Sequence, residues 1–511
     1  MQKRKWYRVL LRRRLIVAFI LLLQLAFVFI AIFYGSRYYS IVSSVLGLIS
    51  LIVSLYILSN KSKSAFKLTW IFLILLFPLF GGLMYVLFKM QSSTRRFERK
   101  KREISTKISP LYHTSDAAYI QASEALPQYS PLIRYLEKFA GFPVYANTAT
   151  EYLSPGEAKF ECLLRELRKA KKYIFLEYFI IQEGVMWDSV LEILKQKVQE
   201  GVEVRVMYDD MGCFLLLPKN YAQTLASYGI KCTVFNPFRP VFSAVQNNRD
   251  HRKIVSIDGK VAFTGGINLA DEYINVHRRF GHWKDASVVL RGQAAWSMTL
   301  MFLEMWSSAK NTVEDYSLYL PDMTPSAQSA AGFVQPYCDS PMDTENVGEQ
   351  VYLQILERAR DYVYICTPYL IADDNMMSAL ALAAKSGIDV RIITPHIPDK
   401  KIVHTTTRSY YHDLISAGVR IYEYSNGFMH SKTFVSDDRV ATVGTTNLDF
   451  RSLYLHFECG AVLYDSPAIA SIKQDFLATL EKCEEITEKQ CRGNIFIRMW
   501  RAILRLYAPL M

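Results

Sequence analysis

Two short stretches of this 511-residue chain carry the same reactive residue types at the same spacing. His251, Lys253, Asp258 and Asn268 recur as His430, Lys432, Asp437 and Asn447, at offsets 0, 2, 7 and 17 in both. Before each Asn lies a glycine-containing turn, Gly265-Gly266-Ile267 in one stretch and Gly444-Thr445-Thr446 in the other. Residues two apart on an extended strand face the same side, so each His and Lys would point together at one site. The turn would then return each Asn beside them on a neighbouring strand. These types suit phosphodiester chemistry. Lysines and asparagines donate to the phosphoryl oxygens, one imidazole attacks phosphorus, and the other protonates the departing alkoxide. A single His-x-Lys pair is a weak signal, but two at matching places in a duplicated unit are not a chance of composition.

The elements that must hold these residues repeat as well. RKAKKYIFLEYFI (168–180), GVEVRVMYDD (201–210) and SYGIKCTVFN (227–236) precede the first motif; ERARDYVYICTPYLI (357–371), GIDVRIITP (387–395) and SAGVRIYEYS (416–425) precede the second. Amphipathic helical patterns alternate with short β-branched or aromatic strands, which reads as α/β. His251 to His430 is a shift of 179 residues, too long for a solenoid and of the right size for a duplicated domain. The expected fold class is α/β: two duplicated lobes in a pseudo-twofold arrangement, preceded by N-terminal transmembrane helices. The expected boundaries are a transmembrane region over 1–90 with two to three helices, a charged connector over 91–130, and a first lobe over 131–306. A linker over 307–340, a second lobe over 341–490 and a basic amphipathic tail over 491–511 complete the chain.

Composition agrees with a membrane enzyme. Half the residues are hydrophobic (51%) and 21% are charged, which excludes a disordered chain. Residues 1–110 hold 19 Lys/Arg against 2 Asp/Glu, and the remainder 41 against 46. The positive excess therefore flanks apolar runs, as at an anionic membrane surface. A nucleic-acid binder would carry it on the folded part, so no nucleic-acid partner is expected. Three uncharged apolar stretches, 15–34, 41–58 and 68–88, are each about the length that spans a bilayer core. Pro78 and Gly81-Gly82 in the third predict a kink or a close helix contact. Basic clusters before the first stretch and after the third both ask to be inside. Three full spans cannot satisfy both, so one segment is re-entrant or interfacial, or one cluster is overruled. Eight cysteines without zinc or disulfide spacing favour a catalytic part on the cytoplasmic face of the cell membrane.

The chain resembles the phospholipase D superfamily, whose members carry such paired motifs, and within it the bacterial cardiolipin synthases. The resemblance rests on NNRDHRKIVSIDGKVAFTGGINLADEY (247–273), FGHWKDASVVLRG (280–292) and FMHSKTFVSDDRVATVGTTNLDFRS (428–452). It implies transfer of a phosphatidyl group from one phosphatidylglycerol to another, giving cardiolipin and glycerol through a phosphohistidine. Neither metal nor cofactor is implied. His251, Lys253, Asp258, His430, Lys432 and Asp437 form the implied catalytic set, with His251 taken as the nucleophile and His430 as the acid/base, roles that the near-symmetry of the motifs leaves open to exchange. Asn268, Asn447 and the two lysines would bind the phosphoryl oxygens, and Asp285 and Glu458, some 30 residues after each His, would orient the imidazoles. Asp258 and Asp437 are expected to hold turns through backbone hydrogen bonds. Tyr273, Tyr369, Tyr410 and Tyr411 flank the motifs as packing residues or channel lining. The residues alone leave open whether the acceptor is phosphatidylglycerol, another alcohol or water.

Overall fold

The computed structural model describes residues 37–77, 92–112, 116–238, 247–321 and 330–511, with isolated positions between 22 and 85. The apolar stretch 15–34 lies outside the described residues save for isolated positions. Helix α1 (Arg37–Ser59) contains the second stretch and exposes Ile41, Leu48, Leu51, Ile52 and Leu55. Among the described residues no helix is long and apolar enough to cross a membrane. Helix α2 (Ser64–Leu76) begins the third stretch and stops short of its end. The chain bends at Phe77 and returns, so that Tyr85 packs edge-on against Trp70 at 5.4 Å. A Cβ on Gly81 would come within 2.6 Å of the Leu73 carbonyl oxygen, which is the close contact the glycine pair predicts. Pro78 lies outside the described residues. The basic helix α3 (Ser92–Ile108) follows.

Two sheets then form on one plan. The first contains β1 (Thr148–Leu153), β2 (Tyr173–Tyr178), β3 (Glu203–Asp209), β4 (Lys231–Phe235), β5 (Ile254–Ile257), β6 (Val261–Gly265) and β7 (Ser287–Gly292). Their spatial order is β1-β7-β6-β5-β2-β3-β4. The second contains β8 (Phe333–Asp339), β9 (Tyr362–Cys366), β10 (Asp389–Pro395), β11 (Arg420–Tyr424), β12 (Thr433–Ser436), β13 (Val440–Gly444), β14 (His456–Tyr464) and β15 (Cys483–Glu485). Its order, β8-β14-β13-β12-β9-β10-β11-β15, repeats the first strand for strand and adds one at the edge. In each sheet three parallel strands sit beside antiparallel hairpin strands. The parallel strands are covered on both faces, which is why YIFLEY is buried throughout and reads as an almost unbroken apolar run.

The sheets share a core. Helix α4 (Ala294–Lys310) is apolar nearly all round, is buried from Ala294 to Ser308, and packs against strands of both sheets. A helix with no polar face must be covered on every side, and two sheets meeting over it provide the cover. Lys101 of α3 pairs with Glu304 of α4 at 3.1 Å, which docks the connector on the same helix. Backbone also crosses between lobes. Arg249–Asp250 runs parallel to the start of β14, and His282–Lys284 pairs with Gly427–Met429.

Candidate active site

Those two cross-lobe pairings place the motif histidines. The His251 N–H donates to the Phe457 carbonyl at 3.0 Å, and the His430 N–H to the Lys284 carbonyl at 2.7 Å. Each histidine is thereby fixed beside the residue that follows its backbone partner, and those residues are Glu458 and Asp285. His251 Nδ1 lies 2.9 and 3.0 Å from the Glu458 carboxylate oxygens; His430 Nδ1 lies 2.6 Å from Asp285 Oδ2. The spacing of some 30 residues points to these two acids, but each lies against the histidine of the opposite lobe. An ionised carboxylate only accepts, so each Nδ1 carries the proton and each Nε2 keeps its lone pair.

The two turns differ in how they seat the acids. A Cβ at Gly266 would fall 2.1 Å from Asp285 Oδ1, so only glycine fits there. At the matching place in the second lobe the Thr445 hydroxyl donates to Glu458.

His251, His430, Asn268 and Asn447 line one cavity of about 980 Å³. The lysines lie just behind it, each 2% exposed. Lys253 Nζ donates to the His251 carbonyl oxygen at 2.6 Å, and Lys432 Nζ to that of His430 while lying 2.9 Å from its Nδ1. Asn268 accepts from the Ile180 N–H at 3.0 Å and donates to the Tyr273 hydroxyl at 2.6 Å. Asn447 Oδ1 is buried without a partner. Tyr273 and Tyr369 line the same cavity, whereas Tyr410 and Tyr411 do not, and Tyr411 is bonded to Thr394.

The motif aspartates stand apart from the imidazoles. Asp258, at φ 54°, accepts from the backbone N–H groups of Lys171, Lys172 and Tyr173, each at 2.8 Å. Asp437, also at φ 54°, accepts from Arg360, Asp361 and Tyr362 at 2.9 to 3.0 Å. Both occupy the far ends of β5 and β12. Counting them with the catalytic set is therefore corrected: a short carboxylate tolerates the left-handed turn and ties it to the start of the neighbouring strand.

Burial sets the protonation states. It pulls His430 down to about 4, with Lys432 acting the same way and Asp285 opposing. His251 is lowered well below its ordinary value, by burial and then by Lys253, Lys432, His430 and Lys400. Lys253 falls to about 8 and Lys432 to about 7, both chiefly by burial, relieved by Glu458 and Asp285 respectively. Burial is thus the leading cause of the depression of all four basic groups.

Sequence reasoning missed His456. Its ring centre lies 5.5 Å from that of His251, and burial lowers it to about 3. Neither ring nitrogen has a hydrogen-bond partner. Its place two residues before Glu458 on one strand was the available signal. His251, His456 and Glu458 bring ligand atoms within 4.8 Å of one another, but His251 and Glu458 are already bonded together. Arg451, which also faces the cavity, was missed too.

Two lobes of one topology, each delivering a His-x-Lys pair to a common cavity, define a phospholipase D-like enzyme. Comparisons with known proteins agree. The family described as "Cardiolipin synthase, PLD-like domain" matches residues 163–280 and 352–480, and "Phospholipase_D-nuclease N-terminal" matches 45–89. The cardiolipin synthase of Geobacillus kaustophilus is 34% identical, over 91% of each chain, and cardiolipin synthase 2 of Bacillus anthracis 35%, over 89% of this chain and 88% of that one. An uncharacterized protein of Streptococcus mutans is 46% identical over 89% of this chain and 99% of its own. A crystal structure of Haemophilus influenzae phosphatidylserine synthase shares the fold, with a TM-score of 0.55 at 14% identity, covering 74% of this chain and 97% of that one. The chain belongs to the cardiolipin synthase family of phospholipase D-like proteins.

Proposed function

We propose that this chain is a cardiolipin synthase that transfers a phosphatidyl group from one phosphatidylglycerol to the hydroxyl of a second. The observation that carries the reading is the pair of crossed His–carboxylate contacts facing one cavity in a member of this family. With the phosphodiester anion bound, His430 takes up a proton at Nε2; His251 Nε2 then attacks phosphorus, the bond to the glycerol oxygen breaks, and His430 gives that oxygen the proton. In the second, the acceptor hydroxyl loses its proton to His430 and attacks phosphorus, and the P–N bond breaks. Glu458 and Asp285 hold the imidazoles in the required tautomer and offset the charge each gains. The assignment of roles follows the electrostatics: His251 stays neutral, as a nucleophile must, while Asp285 acts to keep His430 the more basic.

The phosphodiester anion itself completes the site. Entering a pocket of depressed lysines and imidazoles, it supplies the missing negative charge and raises them towards protonation. Lys253, Lys432, Asn268 and Asn447 then serve the phosphoryl oxygens; the unpartnered Oδ1 of Asn447 supports a side chain free to turn its amide to the ligand.

The enzyme is membrane-associated, with phospholipids as its substrates. A multi-pass anchor with the lobes on the cytoplasmic face fits best. The reversal after Phe77 supports a re-entrant third segment, which lets both basic clusters lie inside. The slight acidity of residues 111–511 argues against a nucleic-acid substrate.

The test is mass spectrometry of lipid products from purified enzyme and phosphatidylglycerol vesicles, with chelator present and no nucleotide. Cardiolipin with equimolar glycerol is expected, and both should vanish in His251→Ala and His430→Ala. Phosphatidic acid as the sole product would make the protein a hydrolase.

A further inference from the structure

The two lobes match at the histidine, lysine and asparagine positions but part company at offset 21. There the first lobe places Glu272 and the second Arg451, and both line the cavity. The pseudo-twofold would make the two ends of the cavity alike; at this offset they differ in charge, within a lining that also holds Arg249, Arg279, Asp399, Lys400, Lys401 and Asp449. Arg451 is held at the base of the short helix Phe450–Tyr454, with Nε donating to the Met511 main-chain oxygen at 2.8 Å. Among the described residues no Asp or Glu side chain forms an ion pair with it. Burial pulls the guanidinium below its ordinary value, opposed by Asp449 and reinforced by Arg249. At the matching place burial raises the carboxyl of Glu272, with Arg279 and His277 opposing and Asp399 reinforcing.

Joining two phosphatidylglycerols requires two phosphodiesters in the site at once, one reacting and one carried by the acceptor. The histidines, lysines and asparagines account for the first. We propose that Arg451 binds the non-reacting phosphodiester of the acceptor phospholipid, and so selects a phospholipid hydroxyl over water or a free alcohol. This rests on the transfer reaction proposed above. A planar guanidinium with spare N–H groups matches two oxygens of a phosphodiester, whereas the carboxylate at the matching position could only accept from hydroxyls. The polar end of the acceptor is thus directed, and its glycerol hydroxyl lies between that anchor and the phosphohistidine.

The first measurement uses the unaltered enzyme charged with phosphatidylglycerol and offered soluble acceptors: glycerophosphoglycerol, glycerol, or glycerol with inorganic phosphate. Glycerophosphoglycerol should accept the phosphatidyl group at least about tenfold better than glycerol, the worth of one charge-assisted contact. Equal transfer to both would overturn the proposal, and so would rescue of glycerol by inorganic phosphate, since the site would then take a loose anion. The second measurement is the ratio of cardiolipin to phosphatidic acid formed by Arg451→Gln. It should fall about tenfold or more, with Arg451→Lys between the two, whatever the total turnover. An unchanged ratio with reduced turnover would assign Arg451 to the fold or to the donor. Failure of the unaltered enzyme to make any cardiolipin would instead remove the reading on which this one rests.

Discussion

At the scale of single residues the proposed chemistry depends on two carboxylates set behind the imidazoles. Asp285 and Glu458 are fully buried, and each fixes an imidazole contributed by the other lobe. Asp285→Asn and Glu458→Gln keep shape but offer an amide that can present the wrong partner to Nδ1. Each should lower kcat by about 10³ to 10⁴, the cost of a mis-set tautomer in a comparable triad. Steady-state glycerol release measures this; a loss below tenfold would mean that the imidazoles orient themselves. The same burial makes stability depend on pH. The folded value for His430, about 4, lies below the usual 6.5 of an unfolded chain, and that for His456 is about 3. Between those values the unfolded chain binds protons that the folded one refuses. Stability from these groups is therefore complete above about pH 6.5 and is lost as the pH falls towards 4 and then 3. Melting in detergent across pH 7 to 4.5 should show Tm falling, less steeply in His456→Asn; a flat profile would mean solvated imidazoles. The motif residues were legible because duplication repeats them at fixed offsets. Their crossed partners were not, because which acid meets which histidine is decided by registers between segments 207 and 145 residues apart. His456 and Arg451 escaped notice because neither belongs to the repeated pattern.

Among the elements, the hairpins β5–β6 and β12–β13 carry the histidines at one end and are tied down at the other. Asp258 and Asp437 each gather three backbone N–H groups there, so their work is mechanical. Asp437→Ala leaves three donors of a strand start in need of water. It should cost about 1 to 3 kcal/mol in unfolding free energy and change turnover per folded molecule far less than loss of a histidine. Denaturant unfolding with parallel activity assays decides it: a dead enzyme of normal stability would return the aspartate to the chemistry. The strands themselves read well from sequence, since buried parallel strands leave apolar runs such as YIFLEY and VEVRVMY. Helix α4 is an apolar block in the sequence, but that it fills the space between two sheets required both sheets to be known. The bend at Phe77 was hidden, because a long apolar run looks the same whether straight or folded back.

For the whole molecule, the outer face says where it works. Helix α5 (Lys401–Ser416) carries helix α6 (Ile495–Tyr507), and α6 is mounted with its polar side inward. Arg505 pairs with Asp413 at 2.7 Å and Arg501 donates to the Cys491 carbonyl oxygen. Phe496, Met499, Trp500 and Ile503 point outward, with Phe496 77% exposed. Thr69 of α2 donates to the Leu506 carbonyl at 2.7 Å, and Leu68, Phe72, Leu75 and Leu76 continue the apolar surface. Such a face fits a bilayer, with the indole at the headgroup level. Phe496→Asp and Trp500→Asp should each reduce cardiolipin formation on vesicles several-fold and spare activity on short-chain phosphatidylglycerol in solution. Equal losses on both substrates would place the helix in the folding of the second lobe. The amphipathic pattern was legible, but its inverted mounting was not, because that depends on where Asp413 and Cys491 come to lie.

The crossed pairing also bears on how the protein is born. His251 precedes the carboxylate that orients it by 207 residues. At ordinary rates of translation the first lobe is exposed at the membrane for roughly 10 to 40 s before its partner acid has been made. During that interval the nascent chain holds the proposed nucleophile His251 without the carboxylate that orients it. On the proposed mechanism reactivity then arrives only when the second lobe closes on the first, and a chain truncated before Glu458 should release no glycerol from phosphatidylglycerol.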